Sequence, residues 1–123
     1  MKICITSTQD NINADIDMRF GRCRYFLIID TDTMNVDAIS NESIMESGGA
    51  GVKAAQTVAK TGVKTVITGN IGPNAFQTLK AAGINIITGA DGTIKEIIDK
   101  LKNNEYETIK SPSVGNHFGI KRG

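Results

Sequence analysis

Two stretches of this chain share one pattern. Gly62-Val63-Lys64-Thr65-Val66-Ile67-Thr68-Gly69 is mirrored by Gly83-Ile84-Asn85-Ile86-Ile87-Thr88-Gly89, each a short apolar run between glycines and each followed by a segment of helical periodicity. Successive strand–helix units of this kind build a parallel sheet through right-handed crossovers. The pattern therefore confines the chain to an α/β architecture. It also puts the turns after the strands at one edge of the sheet, where open α/β sheets bind ligands.

The remaining elements follow from local signals. Ile3 to Ser7 reads as a buried strand, and Asp10 to Asp17 as a polar loop. Tyr25-Phe26-Leu27-Ile28-Ile29-Asp30 is aromatic and β-branched, which favours a strand. A turn at Asp32 to Asn35 joins it to a more exposed strand from Val36 to Ser40. Val52, Ala55 and Ala59 then share one helical face, with Gly62 as its C-terminal stop. Pro73 suits the first turn of the next helix, where its missing N–H costs nothing. That helix turns Ala75, Phe76 and Leu79 inward and stops at Gly83. Ile94, Ile97, Ile98 and Leu101 mark the last helix, which Thr93 and Glu96 open with a capping box.

The predicted fold is a mixed five-stranded sheet with helices on both faces. Strands 1 to 3 form an antiparallel meander, and strands 1, 4 and 5 run parallel with the first strand central. This is a ribonuclease H-like motif. Residues 1–102 form the single α/β domain. Periodicity ends near Asn103, so 103–123 is expected to be a flexible C-terminal tail.

Composition narrows the function classes. The chain has 123 residues and a formal net charge of +1. So small a charge gives no broad field toward nucleic acid or membrane, and no apolar run approaches the roughly 20 residues that span a bilayer. The opening Met1-Lys2-Ile3-Cys4-Ile5 reads as a strand and not as a leader, so a cytoplasmic protein is expected. With one histidine, His117, a site built from several imidazoles is excluded. The two cysteines, Cys4 and Cys23, lack the paired spacing of a structural zinc site. Ser-His-Asp chemistry would have to use a tail histidine. Two-metal nuclease chemistry lacks its carboxylates: the first strand has no acidic residue, the fourth ends in Thr68-Gly69-Asn70, and Asp10, Asp15 and Asp17 share one loop. No catalytic set is expected.

What remains points to binding. Three glycine-marked turns, Ser47-Gly48-Gly49-Ala50-Gly51, Thr68-Gly69-Asn70-Ile71-Gly72-Pro73 and Thr88-Gly89-Ala90-Asp91-Gly92-Thr93, lead into helices. Helix N-termini offer unpaired N–H groups and a partial positive charge, which favour an anion. Backbone at Gly49, Gly51, Gly69 and Gly72, with the Asn70 amide, is the expected anion site. Beside it, Arg19, Arg22 and Arg24 flank Cys23. Cations lower a thiol pKa, so Cys23 is a candidate thiolate ligand. Cys4 reads as core filler. His117 is either an inert tail residue or a metal ligand carried by a mobile arm.

Phe20-Gly21-Arg22, Tyr25 to Asp30, Gly49-Ala50-Gly51 and Gly69-Asn70-Ile71-Gly72-Pro73-Asn74-Ala75 together resemble the dinitrogenase iron-molybdenum cofactor biosynthesis family, the small NifX-like domain also found at the C-terminus of the NifB enzyme. The likeness runs from about Met1 to Leu101. It implies a non-enzymatic carrier of an iron-molybdenum or iron-sulfur cluster or its precursor, working with metallocofactor-assembly proteins or a metalloenzyme, as a monomer or weak dimer. Many members carry His-Phe-Gly-Arg where this chain has Arg19-Phe20-Gly21-Arg22. An arginine keeps its proton and is no ordinary metal ligand. Ligation then falls to Cys23 or to His117, or the cluster is not bound. Two alternatives use the same residues: a small-anion or nucleotide sensor without metal, and a protein-interaction module that regulates a metalloenzyme.

Overall fold

The computed structural model describes residues 1–45 and 48–114. Its elements are β1 (Lys2–Ser7), β2 (Tyr25–Asp30), β3 (Val36–Ser40), α1 (Ala50–Ala59), β4 (Thr65–Ile67), α2 (Pro73–Ala81), β5 (Asn85–Ile87) and α3 (Ile94–Lys102). One sheet runs in the order β3-β2-β1-β4-β5. The β1/β2 and β2/β3 pairs are antiparallel, while β1/β4 and β4/β5 are parallel. The central first strand, the meander and the two parallel additions all match the expectation from sequence.

Alternation along the strands divides the core in two. Cys4, Phe26, Ile28, Val66 and Ile86 face α1 and α2. Ile3, Ile5, Leu27, Ile29, Ile67 and Ile87 face α3, where Ile94, Ile97 and Ile98 meet them. The central strands are therefore buried on both sides, which is why they read as continuous apolar runs. Each fully buried aliphatic side chain contributes about 1.5–3 kcal/mol, and the register keeps each on its own face.

The expectations need two corrections here. α1 buries Ala54, Ala55 and Val58, with Ala59 half-buried against the same core, whereas Val52 lines the cavity described below. Its alanine-rich sequence marks the buried stripe only weakly, and tertiary docking settles the rotation. Residues 104–114, the described part of the expected tail, carry no regular element but make long-range contacts. Tyr106 packs on the α3 side and Ile109 on the α1/α2 side. Ile109 N–H donates to the Ile86 carbonyl at 2.8 Å, so this segment covers the outer edge of β5. Periodicity cannot detect a segment held by isolated long-range contacts.

Candidate functional site

The site lies beyond the carboxyl ends of β1 and β4, where the segment between β1 and β2 crosses the sheet. Asp17 N–H donates to the Thr6 carbonyl at 2.9 Å, and the Thr6 hydroxyl donates to the Asp17 carbonyl at 2.7 Å. Thr6 and Thr68 are joined through their hydroxyls at 2.8 Å. Asn70 N–H donates to Met18 O at 2.8 Å, and Phe20 N–H to Asn70 O at 3.2 Å. This short parallel bridge ties Arg19 to Asn70. Phe20 is buried, with its ring centroid 5.7 Å from that of Phe26. One apolar anchor thus holds the loop down and displays the arginines on either side of it.

Three backbone segments then come together at a single point. A Cβ on Gly21 would lie 2.9 Å from the Cα of Gly51, and one on Gly51 would lie 3.3 Å from the Cβ of Ala75. The loop, the start of α1 and the start of α2 approach this closely because glycine lacks a side chain. Gly49 is the N-cap of α1 with φ of 73°, a left-handed conformation that other residues resist.

Above this contact is an open cavity of about 430 Å3. Its walls are the first turns of α1 and α2, the loop carrying Arg19 and Arg22, and Val114 from the C-terminal segment. Among the described residues neither α1 nor α2 has a side-chain cap. The N–H groups of Ala50, Gly51, Val52, Asn74 and Ala75 are left over by helix geometry, and all five residues line the cavity. Arg19 lies with Nε 3.7 Å from Asp17 Oδ1, its side chain 60% exposed. Arg22 Nη1 donates to the Ile44 carbonyl at 2.7 Å, which steadies the guanidinium at the cavity wall. Among the described residues that line the cavity there is no carboxylate. Two guanidinium groups and two helix N-termini thus face one space, where a compact anion would be stabilised.

Arg19, Arg22, Gly49, Gly51, Asn70 and Gly72 all line this cavity, so six of the candidate residues meet in one place. Gly69 does not join them. It sits beneath Met18, where a Cβ would approach the Met18 backbone to 2.7 Å. Arg24 points elsewhere, over the Tyr25 ring at 5.9 Å. The third turn does not contribute either. Its Gly92 carbonyl accepts from Ile16 N–H, Asp15 bridges to Thr93, and the capping box closes α3.

Cys23, the candidate thiolate ligand, is placed away from the cavity. Cys23 is fully buried in the core with Cys4 and Phe20. Burial pushes its thiol far above the ordinary range, Cys4 and Asp17 push the same way, and hydrogen bonds from its own backbone and from Asn41 oppose this. Desolvation outweighs the arginines that neighbour it in sequence, because these extend away from it. Cys4 is core filler, as expected, and its thiol is raised by burial as well. Among the described residues no group of three or more His, Cys, Asp or Glu could hold a metal ion. His117 lies outside the described residues. A cluster bonded to the protein through several metal–ligand bonds therefore does not fit the described donors, whereas a preformed anionic cluster held by hydrogen bonds and charge does.

The residue that sequence reasoning missed is Asn41. It is buried, and its amide donates to the Gly21 carbonyl at 3.1 Å and the Cys23 carbonyl at 2.8 Å. Its Oδ1 accepts from the Ser43 N–H and hydroxyl, and Ser43 Oγ reaches the Ala50 carbonyl. Asn41 thus ties the arginine loop to the entry of α1. The available signal was an Asx turn, Asn41 followed two residues later by Ser43, just after a strand.

The same shape and sequence recur in known proteins. A family model described as dinitrogenase iron-molybdenum cofactor matches residues 1–104. The uncharacterized protein MJ0580 of Methanocaldococcus jannaschii is 32% identical over 101 residues, covering 80% of this chain and 86% of that one. The apo orange protein from Desulfovibrio gigas superposes with a TM-score of 0.89 at 33% identity, over 92% of this chain and 96% of its own. TM1290 from Thermotoga, a presumptive NifB protein solved by NMR, superposes with a TM-score of 0.80 at 34% identity, over 92% and 97%. No helix among the described residues is long and apolar enough to cross a membrane. By sequence and by shape, the chain belongs to the dinitrogenase iron-molybdenum cofactor family.

Proposed function

We propose that this chain is a carrier, not an enzyme, and that its cargo is a small anionic metal–sulfur cluster, of the iron-molybdenum or iron-sulfur type or a precursor. The observation that carries this reading is one cavity walled by the first turns of two helices with glycine N-caps and by two arginines, with no carboxylate among its described lining. The family description and the likeness to the apo orange protein support it. In this reading Arg19, Arg22, Asn70 and the amides of the two first turns hold the cargo as an anion. Cys23 stabilises the core and does not ligate. A cargo held without protein–metal bonds is also one that can be handed on, which suits a partner in metallocofactor assembly or a metalloenzyme. We read the sheet order as the ribonuclease H-like motif in architecture only, since β1 carries no acidic residue and Thr6 is occupied by Asp17 and Thr68.

The test is anaerobic loading with iron, sulfide and molybdate, followed by metal analysis and visible absorbance. Wild type should retain stoichiometric metal, and Cys23→Ala should retain it equally at a stability cost of about 1 kcal/mol. Arg22→Gln should weaken retention about 10- to 100-fold, the worth of a hydrogen bond to a charged group. Loss of metal in Cys23→Ala with the fold intact would return the ligand role to the thiol. The small-anion sensor uses the same donors. It is the better reading if phosphate raises the melting temperature while the metal mixture leaves it unchanged.

A further inference from the structure

The described part of the segment after α3 reaches the cavity, where its hydrogen bonds converge on one residue. Ile71 N–H donates to Ser113 Oγ at 2.8 Å, and Ser113 Oγ reaches the Ile71 carbonyl at 3.3 Å. The N–H groups of Ser113 and Val114 also donate to that carbonyl, each at 3.2 Å. Ile71 is buried and lies between Asn70 and Gly72, both of which line the cavity. Val114, directly after Ser113, is itself part of the wall. Upstream, the segment is held by Ile109 N–H on the Ile86 carbonyl and by the packing of Tyr106 and Ile109.

We propose that residues 104–114 form a strap and that Ser113 is a positioning residue for the cavity. It clamps the Ile71 peptide, fixes the wall formed by Asn70 and Gly72, and seats Val114 at the mouth. The geometry is specific to a hydroxyl. Ser113 is exposed, so its side chain adds little to the core, yet its oxygen both accepts from and donates to one buried residue. The neighbouring acceptors in the β4–α2 turn are already used: Asn70 O accepts from Phe20 N–H and Gly69 O from Gly89 N–H. The turn is therefore held from below by the arginine loop and from the side by the strap. Removing the hydroxyl leaves Ile71 N–H without its acceptor and frees the wall on the strap side. The consequence for retention rests on the anion-cleft reading above. The clamp itself does not.

The experiment compares wild type, Ser113→Ala and Ser113→Thr in the full chain. Amide hydrogen exchange is followed at Asn70, Ile71 and Gly72 without ligand, and the affinity for inorganic molybdate and for phosphate is measured in parallel. Ser113→Ala should speed exchange at Ile71 about three- to tenfold, the range expected for one lost hydrogen bond. Acceleration should extend to Asn70 or Gly72, and affinity for whichever anion wild type binds should fall at least about threefold. Ser113→Thr, which keeps the hydroxyl, should restore both. Unchanged exchange at Ile71 in Ser113→Ala overturns the clamp. Faster exchange with undiminished affinity overturns the positioning role. If wild type binds neither anion, the cleft does not take a free oxyanion and the sensor reading fails. The clamp is then decided by exchange alone: supported where Asn70 or Gly72 follows Ile71, overturned where neither does.

Discussion

The helices begin in two different ways. At α3 the start is closed: Glu96 N–H donates to Thr93 Oγ1 at 3.2 Å, and Thr93 N–H donates to Glu96 Oε1 at 2.8 Å. The carboxylate answers the positive end of the helix, and its pKa is lowered by hydrogen bonds from the Thr93 backbone and side chain. At α1 and α2 the start is open among the described residues: glycine stands at the N-cap, no described side chain caps it, and Arg19 and Arg22 line the cavity that both starts face. Capping is worth about 0.5–2 kcal/mol at each helix. The two helices that forgo it are the two that face the cavity. Stabilisation that α3 draws from its own side chains is left available there for something that binds.

This contrast can be broken by moving the carboxylate. Val52 occupies in α1 the position that Glu96 holds in α3, three residues beyond the N-cap. Val52→Glu should abolish most anion binding, by at least about tenfold, because a fixed negative charge takes the place of the ligand. The same change should leave the melting temperature equal or higher, since a first-turn carboxylate favours the helix by about 0.3–1 kcal/mol. Calorimetric titration beside thermal denaturation tests both halves, and unchanged binding would show that the helix starts are not the anion site.

The next effect is steric. Gly21→Ala should destabilise the fold by about 1–3 kcal/mol, since its Cβ would meet the Gly51 backbone at 2.9 Å. Urea unfolding measures it. A neutral result would mean that the loop moves freely away from α1.

The converse change acts on α3. Thr93→Ala should cost about 1 kcal/mol and leave anion affinity as in wild type. The pH dependence follows from the sign of the Glu96 shift. The folded pKa lies below the ordinary 4.5, so this stabilisation is fully present above that value and is lost as pH falls through the folded pKa. The stability gap between wild type and Glu96→Gln should therefore be constant near neutrality and close in that acid range. A gap that persisted there would assign the cap to something other than the carboxylate. The smallest effect is expected at Tyr106, whose hydroxyl is buried without a partner among the described residues. Tyr106→Phe should be neutral or slightly stabilising, since it removes an unsatisfied polar group, and the same urea series would register it.

The capping box of α3 was legible because Thr93 and Glu96 are three residues apart and act on each other. The strands were legible for a similar reason: Tyr25–Asp30 and the two glycine-bounded runs carry their signal within six or eight residues. The arginine–glycine site was partly legible. Gly49, Gly51, Asn70 and Gly72 follow from turn chemistry, Arg19 and Arg22 from their charge beside Cys23, and the turns lie at one sheet edge by topology. Gly69 and the third turn were grouped with them because the same glycine pattern serves two purposes. At Gly69 it admits Met18, and at Gly92 it leads into a helix start already closed.

Composition and short-range pattern determined the strand order, the three helices, the capped start of α3 and the polarity of the ligand edge. Each of these depends on neighbours within a turn or a pleat. Tertiary structure alone decided that Cys23 is buried in the core. Its arginine neighbours in sequence extend outward, while its neighbours in space are Cys4, Phe20 and Asn41. It also decided the rotation of α1, the Asn41 tie, and the docking of Ser113 on Ile71, 42 residues away. Desolvation and hydrogen bonding act through space, so a residue's chemistry depends on which chain segments the sheet brings beside it.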